Sequence, residues 1–173
     1  INSYDYAIIA VGAHNMKMPI PHDNSNIVSS WDVLNGQEVT GDCVVIGGGL
    51  VGAETAEYLA NKGHQVTIVE MMDKIAAGES TTVLPLMMKD FADHNVKQLV
   101  NTKVDHIENN IVYTANEQIK ADTIINALGS KKNIFDDSSI TIPHVCVGDC
   151  SGERTADIAS AIRTAYKAAN AID

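Results

Sequence analysis

Glycines at positions 47, 49 and 52, with Gly48 between the first two and Leu50 and Val51 before the third, spell G-x-G-x-x-G. That spacing suits a linked pair of phosphates. Gly47 permits a tight turn from strand into helix. Gly49 lacks the Cβ that would hold a ligand off, and Gly52 lets the helix lie close to the strand. The unpaired amides and positive dipole end at the helix start then face the anion. No Lys or Arg stands in this segment, so the main chain must supply the attraction. Glu70 follows 21 residues after Gly49. There it can accept both hydroxyls of an adenosine ribose and repel a 2′-phosphate. Met71 and Met72 follow it rather than arginine, so the expected cofactor is NADH, not NADPH. Glu54 is expected in the first helical turn, either compensating the dipole or contacting the nicotinamide end. Gly129 closes an apolar run at the sheet edge where ligands gather, allowing close approach to a cofactor. An ordinary turn glycine is the competing reading there. For the motif as a whole the competing reading is a plain strand–turn–helix with an acid at a strand end.

These residues need a particular scaffold. Asp42 to Ile46 reads as a buried strand feeding the glycine turn, and the helix runs to about Lys62, its apolar face set by Leu50, Ala53, Ala56, Leu59 and Ala60. Gly63 stops it. Gln65 to Glu70 is the next strand, completing a βαβ unit. Thr81 to His94 reads as a second helix, Val96 to Val100 as a strand, and Val104 to Lys120 as a hairpin turning at Asn109-Asn110. Ala121 to Leu128 is another buried strand. Tyr4 to Val11 and His144 to Val147 are strands, and a last helix covers about Thr155 to Ala171. Residues 13 to 30, rich in Pro, Asn and Ser, read as a surface connection, with Ser30 capping a short helix over Trp31 to Asn35. The expectation is an α/β fold: a Rossmann-like parallel sheet with helices on both faces and a β-hairpin crossover.

Composition narrows the function. The chain has 173 residues, 45% hydrophobic and only 5% aromatic, so Ala, Val and Ile must build the core. The net charge of -10 argues against nucleic acid as a partner. No apolar run approaches the roughly 20 residues of a membrane span. The six histidines lack metal-ligand spacing. There is no GxSxG, no phosphate-binding P-loop and no CxxC. Three cysteines, Cys43, Cys146 and Cys150, read as reduced thiols of a cytoplasmic protein, the last two held apart by a strand and turn. Because the chain opens on Ile1, it is expected to be a piece of something longer.

Three segments in order carry a family resemblance: YDYAIIAVGA (Tyr4 to Ala13), CVVIGGGLVGAETAEYLANKGHQVTIVE (Cys43 to Glu70), and VCVGDC (Val145 to Cys150) with the helix AIRTAYKAANAI behind it. Together they resemble flavoprotein reductases that carry two dinucleotide-binding domains. The likeness runs furthest toward the 2,4-dienoyl-CoA reductase, enoate reductase and NADH oxidase group. It implies an NAD-binding domain over residues 37–130 inserted into an FAD domain, of which 1–36 and 131–173 are remnants. It implies that Asp149 hydrogen-bonds the FAD ribityl chain. It further implies that NADH reduces FAD in the flavin domain of the same polypeptide, with an iron–sulfur cluster and FMN beyond, and that an activated alkene is reduced. Within the same class, a ferredoxin or coenzyme A-disulfide reductase stays open. So does a non-catalytic nicotinamide nucleotide sensor.

Overall fold

The computed structural model describes residues 3–78, 80–152 and 158–172. They form two compact units, one made of residues up to Met16 and from Ser130 onward, the other running from Lys17 to Gly129.

The central unit is built on a five-stranded, wholly parallel sheet. Its strands are β3 (Ile27–Ser29), β4 (Cys43–Ile46), β5 (Val66–Val69), β6 (Lys97–Leu99) and β10 (Thr123–Asn126), in spatial order β3-β10-β4-β5-β6. The chain moves outward from β4 through β5 to β6, then returns to the other side of β4. That reversal leaves a crevice at the carboxyl end of β4, where open α/β sheets take ligands. The register keeps the strand ends level: Ile46 pairs with both Val69 and Asn126.

Strand residues alternate strictly between two cores. Cys43, Val45, Ile68 and Ile125 face α1 (Ser30–Leu34), α2 (Leu50–Asn61) and α3 (Leu84–Asp93), through Val33, Ala53, Ala56, Leu59, Met87 and Phe91. Val44, Ile46, Val69 and Ile124 face the antiparallel strands β7 (Val104–Glu108), β8 (Ile111–Thr114) and β9 (Gln118–Lys120), through Val104, Ile107, Val112 and Ile119. Helices on both faces were the expectation. In this unit they cover one face, because the hairpin crossover, extended by β9 into a meander, occupies the other. The turn at Asn109-Asn110 forms as read, with φ of 51° and 59°, the left-handed pair that Asn tolerates in a two-residue hairpin.

Some boundaries move. The first helix is capped by Ser29, whose Oγ accepts the Trp31 amide at 3.1 Å, one residue earlier than Ser30. Residues 27–29 are a strand rather than a connection, hydrogen-bonded to β10. Residues 17–36 therefore pack with the central unit, not with the amino-terminal fragment.

The other unit pairs β1 (Ala7–Ile9) with β12 (His144–Cys146) in parallel, and β2 (Ala13–Asn15) with β11 (Ser130–Lys132) antiparallel. A 3₁₀ turn at Gly148–Ser151 leads on toward α4 (Ile158–Ala169). The Gly148 amide donates to Thr164 Oγ1 at 2.8 Å, tying the turn to α4. Residues 155–157, expected to begin this helix, lie outside the described residues. The 3₁₀ turn brings Cys150 beside Cys146, where a wide turn would have kept them apart. All three cysteines are free thiols.

Candidate functional site

The glycine turn is assembled around three backbone constraints. Gly47 sits at φ +102°, and a Cβ there would lie 2.6 Å from the Ala127 carbonyl oxygen. A Cβ on Gly52 would lie 1.9 Å from the Gly47 carbonyl oxygen. Both glycines are thus demanded by the fold. Gly49 differs. It is the N-cap of α2, in ordinary extended geometry at φ −66°, and nothing lies within 4 Å of its would-be Cβ. The fold leaves that side of Gly49 open.

It opens onto a cavity of about 480 Å³ at the carboxyl edge of the sheet. Gly47, Gly49, Glu70 and Gly129 line it, as do Met71, Met72, Thr102, Lys103 and Leu128. No side chain caps α2, and the amides of Leu50 and Val51 donate to no described residue. A helix start in this state offers free donors and partial positive charge to an anion.

Gly48 and Glu70 hold the turn in place. Glu70 Oε2 accepts the Gly48 amide at 2.6 Å, and its Oε1 accepts the Met72 amide at 2.7 Å. The Gly48 carbonyl in turn accepts the Ala76 amide at 2.7 Å. One carboxylate therefore fastens the glycine turn to the loop after β5. Each of its oxygens keeps a lone pair free for a further donor such as a ribose hydroxyl.

The sequence-derived residues separate into four groups. Gly47, Gly49, Glu70 and Gly129 meet at the cavity; Gly48, Leu50, Val51 and Gly52 shape the turn behind it. Glu54 is exposed and does not line the cavity. It also misses the first turn of α2, which holds no acid, because the helix starts at Leu50. Asp149 belongs to the other unit. There it lines a separate cavity of about 530 Å³ with Ala10, Gly12, Gly148, Ala161 and Ala165. A Cβ on Gly148 would lie 3.8 Å from Ala161 Cβ, ordinary contact, so the small side chains of α4 allow close packing here.

Lys103 was not anticipated. It follows Thr102, whose amide donates to the Glu70 carbonyl at 2.9 Å, so the loop after β6 meets the end of β5. The signal available in the sequence was only its place just past the strand that follows Glu70.

A family profile for pyridine nucleotide-disulphide oxidoreductases matches residues 2–168. The chain belongs to that family. Its members use NAD(P)H and FAD. The chain is 44% identical over 177 residues to bilirubin reductase of Mediterraneibacter gnavus, an alignment that spans 97% of the chain and 28% of that protein. It is 48% identical over 80 residues to NADH oxidase of Thermoanaerobacter brockii, covering 43% of the chain and 12% of that protein. Among solved structures it resembles 2-naphthoyl-CoA reductase in complex with 2-naphthoyl-CoA, with a TM-score of 0.81 at 27% identity over 94% of the chain and 26% of that protein. The chain thus spans less than a third of the length of these relatives.

Proposed function

We propose that the chain docks NADH in a flavin-dependent oxidoreductase, for hydride transfer to FAD and onward reduction of an enoate or enoyl-CoA type substrate by the whole protein. The observation that carries this is the open side of Gly49, facing a cavity shared with Glu70. The fold has no need of glycine at that position, whereas a pyrophosphate does. NADH bound there supplies a hydride to a flavin, chemistry that belongs to the cofactors. The chain's own part is to bind and orient. The amides of Leu50 and Val51 receive the phosphates, Glu70 receives the ribose hydroxyls, and Gly129 leaves room on the nicotinamide side. The hydride step requires no residue here as an acid or base.

In the same reading, the unit holding Asp149 is flavin-domain material, with the Asp149 carboxylate directed to the flavin's ribityl chain. Its cavity, walled by Gly12, Gly148 and Ala161, suits close backbone approach. The likeness to 2-naphthoyl-CoA reductase supports an acyl-CoA acceptor; an iron–sulfur cluster and FMN as onward carriers belong to the proposal on the sequence resemblance alone. The match to bilirubin reductase supports a second acceptor, bilirubin. Calorimetric titration of the chain with NADH tests the docking claim. Saturable binding that a Gly49→Val variant loses, with unchanged circular dichroism, is the expected result; no heat with the unaltered chain overturns it.

A further inference from the structure

The cavity carries one acid and one base among the described residues, Glu70 and Lys103. They lie at the same end. The Thr102 amide is bonded to the Glu70 carbonyl, which sets Lys103 one residue away from the acid's own backbone. Yet Lys103 makes no ion pair with Glu70 or with any other described residue. The Glu70 oxygens are turned instead to the Gly48 and Met72 amides. An unpaired ammonium lining an anion-binding cavity is available to the ligand. The carboxylate next to it already accepts two amide donors, whose dipoles offset part of its field at a nearby phosphate.

We infer that Lys103 is a cofactor-selecting residue, which lets the adenosine end of this site accept the 2′-phosphate of NADPH as well as the free ribose of NADH. This rests on the cavity being the dinucleotide site and deepens that reading. Glu70 alone predicts near-exclusive use of NADH. Glu70 with Lys103 predicts a modest preference, because a doubly charged phosphate meets one charge of each sign.

The test is calorimetric titration of the full chain with NADH and, separately, with NADPH. Lys103→Met keeps the length of the stem, and Lys103→Arg keeps the charge. Lys103 is exposed, so neither variant disturbs the core. The unaltered chain should bind both nucleotides. Lys103→Met should weaken NADPH by roughly fivefold to tenfold, as befits one partly exposed charge pair, and leave NADH nearly unchanged. Lys103→Arg should retain NADPH. Raising the salt concentration should narrow the gap between the unaltered chain and Lys103→Met. Binding of NADH without NADPH by the unaltered chain, or equal loss of both in Lys103→Met, overturns the role of Lys103 while leaving the docking site intact. Failure to bind either nucleotide overturns the docking reading itself.

Discussion

Two glycines of one motif, three residues apart, should respond to the same small change in opposite ways. In Gly49→Ala the new methyl meets no protein atom within 4 Å, and the backbone at φ −66° is one that alanine adopts freely. The remaining costs nearly cancel. Alanine is a poorer N-cap than glycine by up to about 1 kcal/mol, while loss of glycine's freedom in the unfolded chain returns about 0.4–1 kcal/mol. In Gly52→Ala the methyl would lie 1.9 Å from the Gly47 carbonyl oxygen and 2.9 Å from its carbon, both backbone atoms. The start of α2 would have to move by more than an ångström, at about 3 kcal/mol or more. The two variants should therefore differ in melting temperature by roughly 6–12 °C, with Gly49→Ala close to the parent. For ligand the order reverses in meaning. The Gly49 methyl pushes a phosphate away from the Leu50 and Val51 amides. Each charge-assisted bond so weakened is worth about 1.5–3 kcal/mol, so NADH affinity should fall about tenfold to a hundredfold per bond. Thermal unfolding by circular dichroism and titration with NADH measure both quantities on the same samples. Gly49→Ala binding NADH like the parent, or melting as early as Gly52→Ala, would refute the separation of ligand-demanded from fold-demanded glycine.

Glu70→Gln should destabilise the chain by about 1–2 kcal/mol, since a neutral amide oxygen accepts the Gly48 or Met72 amide less strongly than a carboxylate and its NH₂ end accepts neither; urea unfolding reads this, and an unshifted midpoint counts against the fastening role. The His144 ring nitrogens meet the Ile142 carbonyl at 3.1 Å and the Asp137 carboxylate at 3.0 Å. These contacts raise its pKa above the ordinary 6.5. A raised histidine stabilises fully below its unfolded pKa and loses that contribution as pH climbs through the folded value. Melting temperature should accordingly drop as pH rises from about 6 to about 8, and His144→Gln should flatten that dependence. Burial, with the charges of Asp42 and Asp122 behind it, pushes the Cys43 thiol up to about 11. Only the thiolate attacks alkylating reagents, so Cys43 should resist iodoacetamide at neutral pH and react once denaturant is added; peptide mass mapping of the labelled chain decides it.

The alternating structure of the central unit was legible in the sequence because its signals are local. The G-x-G-x-x-G turn, the small-residue face of α2, the stop at Gly63 and the Asn109-Asn110 hairpin each require a backbone geometry that few other residue types supply. The carboxylate at the end of β5 was equally plain from its distance along the chain. What escaped were elements whose only reason to exist is a partner far away in sequence. The edge strand β3 carries polar neighbours and forms on the edge of β10. Strand β9 has a single inward apolar residue, Ile119, and is held by β8. Strands β2 and β11 are short and polar and define each other.

Sequence alone determined which peptide units turn and which helix start is left uncapped, because these follow from glycine's missing Cβ and from residues a few places apart. The motif spacing already gave Gly49 to the ligand and Gly47 and Gly52 to the turn and the helix packing. Tertiary structure supplied the atoms behind that division: the Ala127 and Gly47 carbonyls that crowd Gly47 and Gly52, and the cavity on the open side of Gly49. It likewise decided that Lys103, from the loop after β6, a strand not adjacent to the motif strand, joins Glu70 at the same cavity. Side-chain neighbourhoods depend on sheet order, and sheet order is set by long-range pairing that no short window of residues contains.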